Sequence, residues 1–253
     1  MSIILGYVNY NCEKEILSSI RKVPDHVQIY ICDNSSSMPE DNRFVVLRPD
    51  KNLGLYNGFD FIIRSLSDSQ KEYDWFLASN PDIIYSHEFF NRLAVYSVAH
   101  DIIAPKIISE LSGHNQNPQI KTRPSRSRMK LLSILWSNTI LANVYQVLSL
   151  MKRLLSGIKS FNSVNTDIYC PHGSLVIYSR KYCRNFGLEH PTFLFGETIQ
   201  IAEVARLNNI RIYYDSSLEV RHIEHSTTSF WRSGDVLQYQ GESAVYFYEK
   251  YWR

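Results

Sequence analysis

The chain has 253 residues, 44% hydrophobic and 21% charged, and a formal net charge of +2, which excludes a disordered or fibrous protein and suits one large α/β unit with a well-buried core. Cys12, Cys32, Cys170 and Cys183 form no CxxC pair and have no histidine at zinc spacing, so buried, reduced thiols are expected. The apolar run from Met1 to Val8 lacks a basic leader and is far shorter than a signal peptide or membrane span, so a cytoplasmic protein is expected.

Ser2 to Val8 reads as a strand, Glu13 to Lys22 as a helix with Ile16, Leu17 and Ile20 on its apolar face, and Val27 to Cys32 as a second strand. This is a βαβ unit of nucleotide-binding type without the GxGxxG dinucleotide fingerprint. Asn9-Tyr10-Asn11 occupies its first turn. Asp33 closes the second strand, where it either accepts hydrogen bonds from a base or ribose or makes an Asx-turn. Phe44 to Leu47 predicts a third strand, followed by Asn52-Leu53-Gly54 and by Asn57-Gly58 opening a helix to Leu66. Glycines beside amides there let backbone approach a ligand.

Tyr73 to Ser79 is filled with aromatic and aliphatic residues and predicts a buried strand, ended at once by Asn80-Pro81-Asp82. An α/β sheet places its chemistry just beyond such strand ends, and an amide and a carboxylate at this spacing suit a hard divalent cation. The plainer reading is a strand followed by a capped helix. His87 to His100 then patterns as a helix with Phe89, Phe90, Leu93 and Val95 inward, and Asp101 to Ile108 as a strand.

The charge is uneven. Residues 111–166 contain no Asp or Glu but eight Lys and Arg, leaving 19 basic against 25 acidic residues elsewhere. Gly113 to Arg128 reads as a mobile polar loop, and Lys130 to Ser156 as an amphipathic helix or helical pair. That helix either packs on its own domain or lies in the plane of an anionic membrane surface, where each basic residue is worth about 1 kcal/mol.

In the second half, His172-Gly173-Ser174 leads into a strand from Leu175 to Tyr178, and a short helix runs through Phe186. Phe193-Leu194-Phe195-Gly196-Glu197 precedes a helix through about Leu207, with Glu197 in its first turn, where an acid also simply favours the helix dipole. Arg211 to Tyr214 and Leu218 to Val220 predict two closing strands, after which His222 and His225 could be metal ligands or ordinary surface residues. Gly234 to Trp252 is a tyrosine-rich amphipathic helix that docks on the body.

The ordered motifs VNYN at Val8 to Asn11, DNSS from Asp33, NLG from Asn52, Asn57-Gly58, NPD from Asn80, HGS before a strand, FLFGE ending at Glu197 and the histidine pair together resemble family 2 glycosyltransferases, especially the rhamnosyltransferase-like enzymes of bacterial surface polysaccharide synthesis. The resemblance leaves the basic insertion largely uncovered. It implies the GT-A fold, a Rossmann-like α/β nucleotide-sugar-binding sheet with helices on both faces. It divides the chain into a nucleotide-sugar half (1–110), the basic insertion (111–166), an acceptor half (167–230) and a C-terminal helix (231–253).

The resemblance further implies that Asp33 contacts the base with Asn9 and Asn11 beside it, that Asn52, Gly54 and Asn57 lie near the nucleotide sugar, and that Asn80 and Gly173 line the same pocket. Asn80-Pro81-Asp82 matches a variant of the metal-binding DxD, with Asp82 holding Mg2+ or Mn2+ and His222 or His225 completing the site. Glu197 would be the base of an inverting transfer from a UDP- or dTDP-sugar to a glycan or polyprenyl-diphosphate-linked acceptor. Many relatives carry an acidic pair here; this chain has Thr198 as the second residue. That departure, with Asn80 in place of an acid, keeps open a nucleotide-sugar-binding scaffold subunit. A nucleotidyltransferase would need a glycine-rich basic loop after the first strand, and no nucleic-acid motif is present, so no nucleic-acid partner is expected.

Overall fold

The computed structural model describes residues 2–67, 70, 72–86, 88–96, 100–145, 164–224 and 234–253, a mixed α/β domain built on one central sheet. Its strands are β1 (Ile3–Asn9), β2 (Gln28–Asp33), β3 (Val45–Leu47), β4 (Trp75–Ser79), β5 (Ile83–Tyr85), β6 (Ile102–Ser109), β7 (Thr166–Ile168), β8 (Leu175–Ser179) and β9 (Ile212–His222). They pair in the order β3-β2-β1-β4-β8-β6-β9-β5, with β7 also on β9. β3, β2, β1 and β4 are parallel, as βαβ connections require, whereas β8 runs antiparallel to β4 and β6.

The helices are α1 (Glu13–Ile20), α2 (Leu55–Ser65), α3 (Phe89–Ala94), α4 (Arg126–Trp136), α5 (Arg180–Phe186), α6 (Glu197–Leu207) and α7 (Gly234–Tyr251). Both faces of the sheet are covered, so β1 is apolar on both sides. Ile3, Leu5 and Tyr7 face the α1 and α3 core, and Ile4 and Val8 face the α2, α5 and α6 core, the two-residue period of a strand. All four cysteines are free and buried, as expected.

The two closing strands expected at 211–214 and 218–220 are one strand, β9. Its pairing with β6 jumps from Pro105 opposite Asp215 to Lys106 opposite Glu219, leaving Ser216-Ser217-Leu218 unpartnered on β6. A proline cannot donate to the ladder, and the bulge sits where that donor is missing. The irregularity lets β9 pair with β7 along 212–214 and with β5 along 220–222.

The segment expected as a mobile loop from Gly113 to Arg128 is pinned. Asn117 is buried and donates its amide to Pro105 O at 2.7 Å, Ile120 bridges Cys170, and Ser125 caps α4 by accepting from Arg128 N–H at 3.3 Å, so the helix begins at Arg126. That helix also stops early. Asn138 Oδ1 accepts from Ile140 and Leu141 N–H at 3.0 and 3.1 Å, capping a second helical segment along 139–145. The rest of the expected helix, 146–156, lies outside the described residues. The helix expected at His87 to His100 is cut short: it runs Phe89–Ala94, Val95 and Tyr96 leave the helical path, and Val95, expected inward, is 85% exposed.

Candidate functional site

Strand pairing decides what meets at one edge of the sheet. β1, β2 and β4 run parallel, with Asn9 opposite Asp33 and Gly6 opposite Ala78, so Asn9, Asp33 and Asn80 end on the same carboxyl edge. β8 starts there, because Ser79 pairs with Leu175, and the Asn80 N–H donates to Ser174 O at 2.8 Å. β9 ends there too, with His222 opposite Ile83. This is the edge at which open α/β sheets bind ligands.

At the β1–β2 corner the polar groups are mostly engaged with one another. Asp33 is fully buried; Oδ1 accepts from Asn9 Nδ2 at 2.8 Å and Oδ2 from Met38 N–H at 2.9 Å. Burial pushes this carboxyl up, but the hydrogen bonds from Met38 and Asn9 outweigh it and hold the group below its ordinary value. Both oxygens are turned inward and shape the turn from Asp33 to Met38. Asn9 is equally committed: its amide also donates to Ser35 and Ser37, and its oxygen accepts from Cys12 N–H at 3.0 Å. Asn11 is exposed at φ 57, and its side chain makes no hydrogen bond among the described residues.

The next loop is braced in a similar way. Asn52 Oδ1 accepts from Gly54 N–H at 2.9 Å, and Asn57 Oδ1 from His190 N–H at 2.7 Å. Gly54 has φ 78, and a Cβ there would stand 2.3 Å from Phe193 O, so the glycine permits a close approach of two loops.

The cation-binding candidates do come together. His222 Nε2 lies 3.2 Å from Asp82 Oδ1, with both side chains nearly buried. Gln116 Nε2 donates to Glu224 Oε1 at 2.9 Å, which turns the Gln116 oxygen toward His222 Nδ1 at 2.8 Å. The Nδ1 therefore carries the hydrogen, and the Nε2 lone pair faces a carboxylate oxygen. Two lone pairs in that arrangement need a proton or a cation between them. Two ligands bonded side by side to a cation at about 2.1 Å stand roughly 3 Å apart, so the donor set fits a divalent ion. The Gln116 bond is the outer-shell support that orients a metal-binding imidazole. Among the described residues no group of three or more His, Cys, Asp or Glu is placed to share a metal, and His225 lies outside them.

His172 stands beside this pair, its ring centroid 5.8 Å from that of His222. Its Nδ1 accepts from Ser174 N–H at 3.3 Å, which leaves the hydrogen on Nε2. Burial, with a smaller effect of His222, pushes the imidazole down to about 4, so it is a neutral donor at neutral pH. His172, Gln116 and Glu224 were not among the expected site residues. His172 sits in the HGS motif, which gave a usable signal; Gln116 lies in a polar segment that carries none.

Glu197 opens α6 behind a backbone in the left-handed region, with Phe195 at φ 67 and Gly196 at φ 82. Its Oε1 accepts from Phe195 N–H at 2.8 Å. It makes no hydrogen bond to Asp82 or His222, although α6 abuts the HGS loop, where a Cβ on Gly173 would lie 3.1 Å from the Thr198 methyl. Helix α7 holds this loop from behind: Ser243 Oγ donates to Leu194 O at 2.6 Å, and Phe247 packs on Gly196. Asn80 is half-buried, and its side-chain amide makes no hydrogen bond among the described residues.

No protein-family model matches the chain, and no curated protein matches it in sequence. Among solved structures the chain is similar to GalNAc-T7 crystallised with UDP, GalNAc and Mn2+, at 12% identity and a TM-score of 0.57, over 99% of this chain and 56% of that one. It thus spans little more than half the length of that protein. The A197 protein from STIV (10% identity, TM-score 0.47, 88% of this chain and 86% of that one) and the catalytic domain of Drosophila β1,4-galactosyltransferase 7 complexed with xylobiose (11%, 0.45, 84% and 64%) match more loosely. The architecture is the GT-A fold, a sheet flanked by helices with its polar groups gathered at one edge.

Proposed function

We propose that this chain is an inverting glycosyltransferase that moves a sugar from a UDP- or dTDP-sugar to a glycan or polyprenyl-diphosphate-linked glycan, in the synthesis of a bacterial surface polysaccharide such as O-antigen or capsule. The observation that carries the reading is the Asp82–His222 pair backed by Gln116, set at the carboxyl edge of a GT-A sheet. The similar GalNAc-T7 was crystallised with UDP and Mn2+.

Asp82 and His222 would hold Mg2+ or Mn2+, which when bound supplies positive charge to a leaving diphosphate. His172 Nε2–H, beside the pair, is a donor for the same anion, and the side-chain amide of Asn80 would be a second one. Asn11 and the turn shaped by Asn9 and Asp33 form the base side, and Asn52, Gly54, Asn57 and Gly173 the sugar side. The acceptor oxygen bonds to the anomeric carbon as the bond to the diphosphate oxygen breaks. Its proton passes to Glu197, whose Oε2 makes no hydrogen bond among the described residues. Attack opposite the leaving group inverts the carbon.

Glu197→Gln is expected to keep the thermal shift given by donor nucleotide-sugar and Mn2+ while turnover falls by roughly 10²–10⁴. Unchanged turnover would remove Glu197 as the base. A second reading has one observation in its favour: Glu197 Oε1 is occupied by Phe195 N–H and its neighbour is Thr198 rather than an acid. A scaffold subunit that holds the donor without turnover would show the thermal shift and release no nucleoside diphosphate with any acceptor.

A further inference from the structure

Helix α4 has two faces of different character. One packs inward: Met129 and Ser133 are buried, and α7 comes close enough at Gly241 that a Cβ there would stand 2.6 Å from Trp136 O. The outer side carries uncovered apolar residues among basic ones, counted over the described residues. Leu131 and Ile134 are 55% and 50% exposed, and on the following segment Ile140, Leu141 and Val144 are 74%, 40% and 51% exposed. Among the described residues, five of the thirteen large exposed hydrophobic side chains thus fall within fourteen residues. A soluble domain leaves single apolar residues in water, but a contiguous set marks a docking surface.

The charge around this face selects its occupant. Arg126, Arg128 and Lys130 form no ion pair with a carboxylate among the described residues, and the sequence from 111 to 166 contains no acid at all. Arg123 differs, being committed to buried Glu203 at 2.7 Å and lying over the Trp252 ring at 4.4 Å. Aliphatic side chains flanked by unpaired cations and free of any acid suit a surface that is both greasy and negative. We infer that the outer face of α4 and residues 139–145 docks on an anionic lipid bilayer, lying in the headgroup plane. No helix among the described residues is long and apolar enough to cross a membrane, so this contact is peripheral. The face is one helix away from the candidate base: α7 meets Trp136 at Gly241 and holds Leu194 through Ser243, two residues on.

The test is sedimentation of the full chain with vesicles of phosphatidylcholine alone or with about one third phosphatidylglycerol. The chain is expected to pellet with the anionic vesicles only, and less as salt rises. Each cation at such a surface multiplies partitioning about fivefold, so Arg126→Ala, Arg128→Ala and Lys130→Ala together should lower it about a hundredfold. Leu131→Ser with Ile134→Ser should also release the chain, while the free protein keeps its circular dichroism and a cooperative unfolding transition, because these side chains are 55% and 50% exposed. The inference is overturned if the wild type stays in the supernatant with anionic vesicles, or if both sets of variants pellet like wild type. It is also overturned if the serine variant instead abolishes self-association in sedimentation velocity, or if the chain binds heparin and ignores vesicles. None of these readouts depends on glycosyl transfer.

Discussion

Asp82 and His222 illustrate what a single pair of atoms can decide. In sequence each was one polar residue at a strand end; in space they stand 3.2 Å apart with the Gln116 oxygen on the far nitrogen, and this is the pair to which we propose a cation binds. Mn2+ is therefore expected to raise the Tm of the wild-type chain, and Asp82→Ala or His222→Ala to abolish the shift. Gln116→Leu should keep both ligands yet weaken Mn2+ by roughly 10–100-fold, read by titration calorimetry, because the imidazole loses its orienting partner. Equal Mn2+ affinity in wild type and Asp82→Ala would refute the site. Asp33 teaches the complementary lesson. A carboxylate at a strand end is legible in the sequence, but whether its oxygens face a ligand or its own turn depends on Met38 N–H and Asn9, which only the folded loop places.

At the level of elements, α7 is joined to the loop ahead of α6. Gly196 is held at φ 82 against Phe247, and a Cβ there would lie 2.2 Å from that buried ring. Gly196→Ala combines left-handed strain with overpacking and should cost about 2–4 kcal/mol in urea unfolding. Adding Phe247→Leu should restore the part due to the clash and leave the backbone part. Full recovery would mean that the φ is not strained. The sequence supports this element well, since FLFGE and the tyrosine-rich helix were both visible, but their contact spans about fifty residues and has no local signature. The same holds for β9. Arg211 to Tyr214 and Leu218 to Val220 read as two strands, whereas the bulge opposite Pro105 carries one strand through the residues between them.

For the whole molecule, the buried carboxylates set the response to acid. Asp33, Glu203 and Asp215 are each pushed up by burial and pulled further down by their hydrogen bonds, so all three end below the ordinary values of 3.8 or 4.5. Glu203 is the most braced, taking Arg123 at 2.7 Å, Arg206 at 2.8 Å and the Tyr169 hydroxyl at 2.7 Å. With folded values below unfolded ones, the unfolded chain binds more protons as pH falls. The stabilisation is complete above the unfolded values and is lost on acidification through about 4.5. His172, held down to about 4 by burial, adds to this because the unfolded imidazole takes up its proton from about 6.5 downward. Unfolding free energy should thus begin to fall near pH 6.5 and continue to fall through the carboxylate range, with a shallower fall at the acid end in Glu203→Gln; a flat profile to pH 3 would contradict it.

By itself the sequence determined the alternation of strands and helices and the polar residues that follow the strands, while helices on both faces of the sheet were what the resemblance implied. The first two follow from local periodicity and from turn chemistry beside each strand. Only the tertiary structure decided that β8 runs antiparallel and delivers His172 to Asp82, that Gln116 fixes the His222 tautomer, and that α4 turns one face inward and leaves apolar residues of its outer side in solvent. Each of those depends on groups far apart in the chain meeting at hydrogen-bond or van der Waals distance, and residue periodicity carries no record of such meetings.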